Sequence, residues 1–550
     1  VNEYFLKADG ESWVLLTEKL LPYRKYNSLL TTDAGYPWGR VNWIYSMRFK
    51  GGEKRKILVQ CGRRRLLGEG FEIRLHEKAV EIVFTEDVDV FFQFAFFTFH
   101  EQNLPGSDFR WQCSYIDGGV AREGVGRVRW KFEGLKASLS NNWLIVEFPE
   151  EKRRGYEYIS WLWEALRLKG RGRVLFWVED EGEKDLQATV LSDEIFSSNE
   201  GLSRGDIVYS FLTDGLVNAG YPWFEVWGRD SAIFGMQILE SGFEREALKI
   251  LEELINNSWK GLVWHRFSYK RVASYTLCAD ATLWTTLFAE KLSRALGNES
   301  IKGFVEFFEE VFSAYWEGWH DWRAQDIFEL KEVVRDRKNN YTWMDTPYVY
   351  RGKSPIELSF LWFEFVNWLR ELDKIGYVRS SKVRDRLKLL YDEERWLKML
   401  CDLYFVNEKG WFADGIDWNG DQLKILRPNQ FMLLKMDRVC REKEFEKTLL
   451  GSYKKVRDLL VRPFGVLTLA PNEENFIAEP AYAVSEFDKA YHNGCAWPFL
   501  GWFVNEKVDE EFLKEHLSNS GVGFVSEVFT PSGEARGCPF QAWSVWTLIQ

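Results

Sequence analysis

Three stretches of the chain set a carboxylic acid among aromatic residues in segments that read as loops. Tyr221-Pro-Trp-Phe-Glu-Val-Trp-Gly-Arg-Asp230 ends in an Arg-Asp pair just before a helical pattern. Tyr341-Thr-Trp-Met-Asp345 sets one acid against Trp343 and Met344, and Gly523-Phe-Val-Ser-Glu527 precedes Arg536-Gly-Cys-Pro-Phe-Gln-Ala-Trp-Ser544. A carboxyl group packed against indole rings and shielded from water keeps its proton to higher pH than one in solution. Two carboxyls of unequal proton affinity are the minimal equipment for cleaving an acetal: one protonates the departing oxygen, and the other activates water or attacks. With 83 Asp and Glu in the chain, counting selects nothing, and each acid taken singly also reads as a helix cap or a surface charge.

The composition narrows the substrate. The chain holds 27 Trp, 22 Tyr and 42 Phe. Trp and Tyr join a flat apolar face to a polar edge, which suits stacking on the C–H faces of pyranose rings, although for any single Trp a place in the core is the commoner explanation. A formal net charge of −11 repels phosphate backbones and anionic lipid, so neither nucleic acid nor a membrane surface is an expected partner, and a neutral ligand fits better. The basic clusters Arg63-Arg64-Arg65 and Lys152-Arg153-Arg154 read as solvated turns. Seven cysteines, scattered and never in CxxC spacing, argue against a disulfide framework and a zinc site and favour a reducing cytoplasm. The start Val1-Asn2-Glu3-Tyr4 has no basic-then-apolar signal pattern, and the run from Val90 to Phe99 is about half a membrane span.

The elements that must position the acids fall into two regions, as 550 residues exceed the usual size of one core. Val88, Val90, Phe92, Phe94 and Phe96 alternate at period two, and Trp143 to Phe148 and Val174 to Val178 are short apolar runs, which predict a β-sandwich. Glu179 to Gly205 is polar and aperiodic, so the boundary is placed at 195, giving an accessory domain over 1–195 and a catalytic domain over 196–550. Beyond it the period becomes 3.6: Phe243, Ala247, Leu251 and Leu254 form one stripe, and Phe304, Phe308, Val311 and Tyr315 another. Leu283, Leu287 and Leu292 end at Gly297, and Leu358, Leu361, Trp362, Phe365, Leu369 and Leu372 end at Gly376. Paired helices with long loops suggest a closed toroid, with an open solenoid as the alternative.

The motifs resemble, in the same order, those of the amylo-α-1,6-glucosidase family, the glucosidase part of glycogen debranching enzyme that also occurs as stand-alone archaeal and bacterial proteins. The resemblance spans most of 215–550. It rests on Ala219-Gly-Tyr-Pro-Trp-Phe with Trp227-Gly-Arg-Asp230, Ala279-Asp-Ala-Thr-Leu-Trp284, Tyr341-Thr-Trp-Met-Asp345, Arg351-Gly-Lys and Pro355-Ile-Glu357. It continues through Leu361-Trp362, Arg427-Pro-Asn-Gln430, Tyr491-His-Asn-Gly494, Trp497-Pro498, Ser526-Glu527 and Gln541-Ala-Trp-Ser544. The resemblance implies an (α/α)6 barrel in which Asp345 is the general acid and Glu527 the general base of an inverting, exo-acting debranching hydrolase. Such a pair stands ~6.5–9.5 Å apart to admit water. It further implies that Arg229 and Asp230 hold hydroxyls of the terminal glucose, with Asp280, Arg427, Gln430, His492, Trp497 and Gln541 lining the same pocket and Trp227, Trp343 and Trp543 among its aromatic walls. A salt bridge at a helix start is the plainer reading of Arg229 and Asp230. His492 is expected as a hydrogen-bonding wall because the other five histidines form no metal-spaced cluster, so no metal and no cofactor is implied. The chain departs from the family pattern at Asn493 (commonly Gln), Cys495 (Thr) and Ser359 (Asn), which bears on the substrate more than on the reaction class.

Two other readings compete. A glucoamylase-, trehalase- or mannosidase-like enzyme keeps the barrel and changes the sugar. A non-catalytic glucan-binding protein keeps the cleft and needs no water-activating base.

Overall fold

In the computed structural model the described residues are the strand residues between 3 and 179 and most of the chain from 204 to 550. The remainder of 1–203 and residues 214, 222, 223, 225, 268–277, 318–341, 481–483, 520–524 and 539 lie outside the description. The expected boundary at 195 therefore falls outside it.

The N-terminal strands are antiparallel and join in one network of twelve. The two longest, Ala79–Phe97 and Ser160–Glu179, run side by side, with Val90 opposite Leu168 and Ile82 opposite Val174. Of the predicted alternation only Val88 has a described side chain, and it is buried, as are Ile82 and Phe84; the side chains of Val90, Phe92, Phe94 and Phe96 lie outside the described residues. Register slips between Glu133 and Leu135 and between Gly170 and Gly172. There Gly134 takes φ +73° and a Cβ on Gly172 would lie 2.0 Å from the Glu133 carbonyl oxygen, so the bulge demands glycine. The strands expected at Trp143 to Phe148 and Val174 to Val178 appear as Trp143–Val146 and as part of Ser160–Glu179. Closure of this network into two facing layers remains our proposal.

The C-terminal region is mainly helical. Its helices are α1 (Arg204–Phe211), α2 (Gly228–Glu240), α3 (Glu244–Asn256), α4 (Ala279–Leu296), α5 (Val305–Glu317), α6 (Ile356–Lys374), α7 (Ser381–Leu387) and α8 (Glu393–Tyr404). There follow α9 (Asp437–Arg441), α10 (Lys443–Leu460), α11 (Val484–Tyr491), α12 (Leu500–Val504), α13 (Glu510–Asn519) and α14 (Trp546–Ile549). The predicted stripes become α3, α5, α4 and α6, and Gly297 and Gly376 take φ +86° and +81° just past their helices.

Burial separates two layers. Helices α3, α8 and α10 bury one face and offer charge to solvent, as an outer layer must. Helices α2, α4 and α6 are buried around most of their circumference, as inner helices are. The inner elements pack in sequence: α2 on α4, α4 on α6, α6 on the 3-10 segment Pro428–Lys435, that segment on α12, and the 3-10 turn Ala542–Val545 back on α2. The remaining junction is made by Phe499, stacked on Trp543 at 4.0 Å, and by Trp546 Nε1 donating to the Pro498 carbonyl at 2.8 Å. The ring is closed, which decides for the toroid. Helices α2 and α4 approach closely: a Cβ on Gly235 would lie 2.4 Å from the Phe288 ring. Buried Arg438 ties the flank of this ring, donating to Glu290 of α4 and Glu371 of α6. No described helix is long and apolar enough to cross a membrane.

Candidate active site

The Trp227-Gly-Arg-Asp stretch turns a short strand into α2. Val226–Trp227 pairs with Arg266–Phe267, Trp227 ends extended, and Gly228 opens the helix. Only glycine fits there, because a Cβ would lie 2.4 Å from the Trp264 carbonyl oxygen. The first turn of α2 therefore presents Arg229 and Asp230, both buried, at the positive end of the helix, where a carboxylate is favoured.

Arg229 does not pair with its neighbour Asp230. Its Nε and Nη2 donate to the two oxygens of Asp280, at 2.6 and 3.1 Å, locking the first turns of α2 and α4 together. Burial opposes the Arg229 charge, but Asp280, with Cys278 and Asp345 adding to it, holds the guanidinium above its ordinary pKa. The remaining Nη1 lies 3.8 Å from Asp345 Oδ2. Asp230 receives the Gln541 amide at 3.4 Å, and burial, opposed by Arg229, pushes it up to about 7.

Asp345 keeps 28 % of its side chain exposed. Its carboxyl is nevertheless hemmed in enough that burial pushes its pKa up to about 6, against the pull of Arg229 and with Asp280 adding to the rise. The loop that carries it is fixed from behind. Trp343 Nε1 donates to Asn429 Oδ1 at 2.7 Å, Asn429 donates to Asp414, and Asp414 accepts from Arg351 Nε at 2.6 Å. Arg351 also grips Glu357 through two bonds of 2.8 and 2.6 Å and reaches Thr342. Both ends of segment 342–351 are thus anchored to one buried ion cluster at the start of α6.

Glu527 is 2 % exposed and accepts two hydrogen bonds, from the Tyr491 hydroxyl to Oε1 and from the Cys538 N–H to Oε2 at 2.8 Å. Gly537, at φ +65°, is required by this arrangement, since a Cβ on it would lie 2.5 Å from Glu527 Oε2. Burial pushes Glu527 up to about 8; its two donors pull the other way, and the nearby charges of Asp230 and Asp345 add to the rise. The charges of Asp230 and Asp345 thus act on Glu527.

The aromatic residues form a joined wall. Trp343 meets His492, Trp497 and Phe499 edge-on at 5.4, 5.5 and 5.2 Å, and Tyr491 meets Trp497 at 4.7 Å. Trp227 is half-buried, meeting His265 edge-on with ring centroids 4.6 Å apart, and the indole N–H groups of Trp227 and Trp543 and the side-chain Oε1 of Gln541 are buried without a hydrogen-bond partner among the described residues. Buried polar atoms with no partner are what a hydroxyl-rich ligand satisfies.

Three of the residues expected to line the pocket are also bonded to the protein, and His492 Nε2 and Arg427 Nε are buried with no hydrogen-bond partner among the described residues. Arg427 donates to the carbonyls of Thr468 and His492 and to Asn493 Oδ1. Gln430 accepts from the Phe412 N–H and the Ser452 hydroxyl. His492 shares a hydrogen bond with Thr346 at 3.0 Å and stacks on Trp497, and burial, followed by Arg427, holds it well below the ordinary histidine pKa. Two residues enter that sequence reasoning gave no role. Tyr491, quoted only as part of a motif, holds Glu527. His265, set aside among the non-metal histidines, has Nε2 3.9 Å from Asp345 Oδ2 and is kept neutral by burial and by Arg229. No group of His, Cys, Asp and Glu suited to a metal ion occurs among the described residues, and the five described cysteines form no disulfide with one another. The side chains of Tyr221, Trp223 and Tyr341 lie outside the description.

Among solved structures, a bacterial glucoamylase complexed with acarbose superposes with TM-score 0.51 at 10% identity, over 93% of this chain and 83% of that one. The mannosylglycerate hydrolase of Thermus thermophilus in complex with glucose gives TM-score 0.44 at 12% identity, over 63% of this chain and 98% of that one. The first shows the helical glucoamylase-type barrel as the fold. A search of curated proteins finds no match. The family model described as amylo-alpha-1,6-glucosidase matches residues 212–550, the whole ring and every motif quoted above, and makes the protein a glycoside hydrolase. The chain belongs to the amylo-α-1,6-glucosidase family.

Proposed function

We propose that the chain is an inverting, exo-acting α-glucosidase that removes single α-1,6-linked glucose stubs from glycogen-like glucans. Asp345 serves as general acid and Glu527 as general base, within a catalytic unit spanning 196–550 behind an accessory sandwich. The observation that carries this reading is the setting of Glu527: both oxygens accept hydrogen bonds from donors fixed by the fold. A backbone N–H can only donate, so the pattern suits a carboxylate, the form that takes a proton from attacking water. Asp345 is the more exposed of the two acids and stands in the loop nearest Arg229, where it can meet a departing oxygen. Asp280 fixes Arg229, leaving Asp230, Gln541 and the unpartnered indoles to receive the hydroxyls of the terminal sugar.

The resting protons favour one second reading. Glu527 at about 8 holds its proton more tightly than Asp345 at about 6, the reverse of the proposed roles. A gap of two units makes the form with ionised Glu527 and protonated Asp345 ~1 % of the singly protonated pair. Exchanged roles, with Glu527 as acid and Asp345 as base, would use the majority form instead.

Asp345→Asn should lower kcat by ~10²–10⁴-fold, the usual share of a general acid. Glu527→Ala should be comparably slow, and azide should restore turnover with formation of β-glucosyl azide, the product of attack opposite the leaving group. Azide rescue of Asp345→Ala and not of Glu527→Ala would exchange the roles, and unchanged hydrolysis by both variants would remove the reading.

A further inference from the structure

Among the described residues three large aromatic side chains are left largely in water: Tyr348 at 44 %, Tyr350 at 42 % and Trp418 at 50 %. All three stand in two loops that are joined where Ser354 and Pro355 pair with Ile416 and Gly415, and the first of these loops carries Asp345. Segment 348–351 alternates, with Tyr348 and Tyr350 outward and Val349 and Arg351 buried, so both tyrosines share one face.

The second loop carries Trp418 on a turn closed by Asp417, whose side chain accepts from the N–H groups of Asn419 and Asp421, both at 2.8 Å. Ser354 pairs with Ile416 and Pro355 with Gly415, and Lys353 Nζ donates to the Trp418 carbonyl at 3.3 Å. Gly352, at φ +70°, lets the strands close up, since a Cβ would lie 2.3 Å from the Ile416 carbonyl oxygen. On the other side, Asn493 Nδ2 donates to the Tyr348 carbonyl at 3.1 Å while Arg427 holds Asn493 Oδ1 at 2.6 Å. The backbone under the rings is pinned and the rings are largely in solvent, with Lys489 Nζ 6.0 Å from the centre of the Tyr348 ring. A rigid mount with exposed flat faces loses little entropy when a ligand stacks on it.

We propose that Tyr348, Tyr350 and Trp418 form an aromatic platform at the rim, binding the neutral glucan chain beyond the bond to be cut. The inference rests on the glycosidase reading above and extends it from the terminal glucose to the polymer. Continuity with the site supports a glucan: Tyr348 and Tyr350 follow Asp345 by three and five residues. These two loops, 342–355 and 411–425, expose no large aliphatic side chain among the described residues, which suits sugar C–H faces and departs from the mixed surface of a protein interface.

The test uses the full chain and the variants Tyr350→Ala, Trp418→Ala and the double variant, whose circular dichroism and Tm verify folding. Migration is compared in native gels with and without glycogen, and kcat/KM on a branched glucan with that on an α-1,6-linked disaccharide. Retardation by glycogen should weaken by about 10-fold in apparent Kd for the double variant, and kcat/KM should fall about 10-fold further on the polymer than on the disaccharide, near the stacking energy of one ring. Undiminished retardation, or an equal fall on both substrates, overturns the platform, as does self-association lost in Trp418→Ala with glycogen retardation intact. Retardation weakened in the variants of a chain that hydrolyses no glucan supports the platform and defeats the glucosidase reading; hydrolysis with undiminished retardation does the reverse.

Discussion

Replacing Tyr491 by Phe removes one oxygen and one hydrogen bond while keeping a ring against Trp497. A hydrogen bond to an ionised group is worth ~1.5–3 kcal/mol, or ~1–2 pKa units. Glu527, at about 8, should therefore rise to ~9–10. The sign of the effect depends on its role. If Glu527 must be ionised and Asp345, at about 6, protonated, the active form on the plateau between the two pKa values is set by their difference. Raising Glu527 then lowers that plateau by ~10–100-fold and carries the alkaline limb of kcat/KM up by ~1–2 units. At still higher pH both enzymes hold Glu527 ionised and the two profiles converge. If Glu527 is the acid, the alkaline limb moves by the same amount and the plateau stays where it was. The assay is glucose release at low substrate between pH 5 and 11, with the folded state verified across the range. An unchanged plateau refutes Glu527 as base, and an unmoved alkaline limb refutes the coupling of Tyr491 to the titration.

Two further perturbations probe the frame around the acids. Gly537→Ala places a Cβ against Glu527 Oε2 and strains a left-handed residue by ~1–3 kcal/mol, so kcat should fall ~10²-fold, out of proportion to a modest fall in Tm; kinetics and thermal melts together read this. Arg351→Met leaves Glu357 buried without its cation and Asp414 with only Arg427 Nε at 3.7 Å, and should cost ~3–5 kcal/mol in denaturant unfolding, while a loss under 1 kcal/mol would show that the cluster does not hold the Asp345 loop.

What could be seen in the sequence follows from how each element is buried. The stripe Phe243, Ala247, Leu251, Leu254 was legible because α3 buries one face. Helix α6 also buries Glu357, Ser359, Glu364 and Asn367, so its apolar stripe identified the helix without revealing that its polar side is inside as well. Ring closure depends on Phe499, Trp543 and Trp546, which are far from α2 in sequence and carry no periodic signal. In the site, the ordered motifs pointed to the residues and not to their partners. Arg229 stands next to Asp230 in the chain, yet a helix start directs it across to Asp280. Arg427, Gln430 and His492 hydrogen-bond to the protein, a task with the same sequence mark as ligand contact. Tyr491 had a detectable signal, a phenol in the motif that precedes the segment of Glu527; His265 had none beyond its type.

The measurement that bears most directly on the central claim is time-resolved proton NMR of a glucan carrying α-1,6 glucose stubs, recorded before mutarotation. A base that activates water on one face of the sugar and an acid that protonates the departing oxygen on the other predict that the first anomeric signal to grow is β-glucose, with loss of the α-1,6 signal at the same rate. First appearance of α-glucose would contradict the inverting pair, and a persistent α-1,6 signal would contradict the debranching assignment.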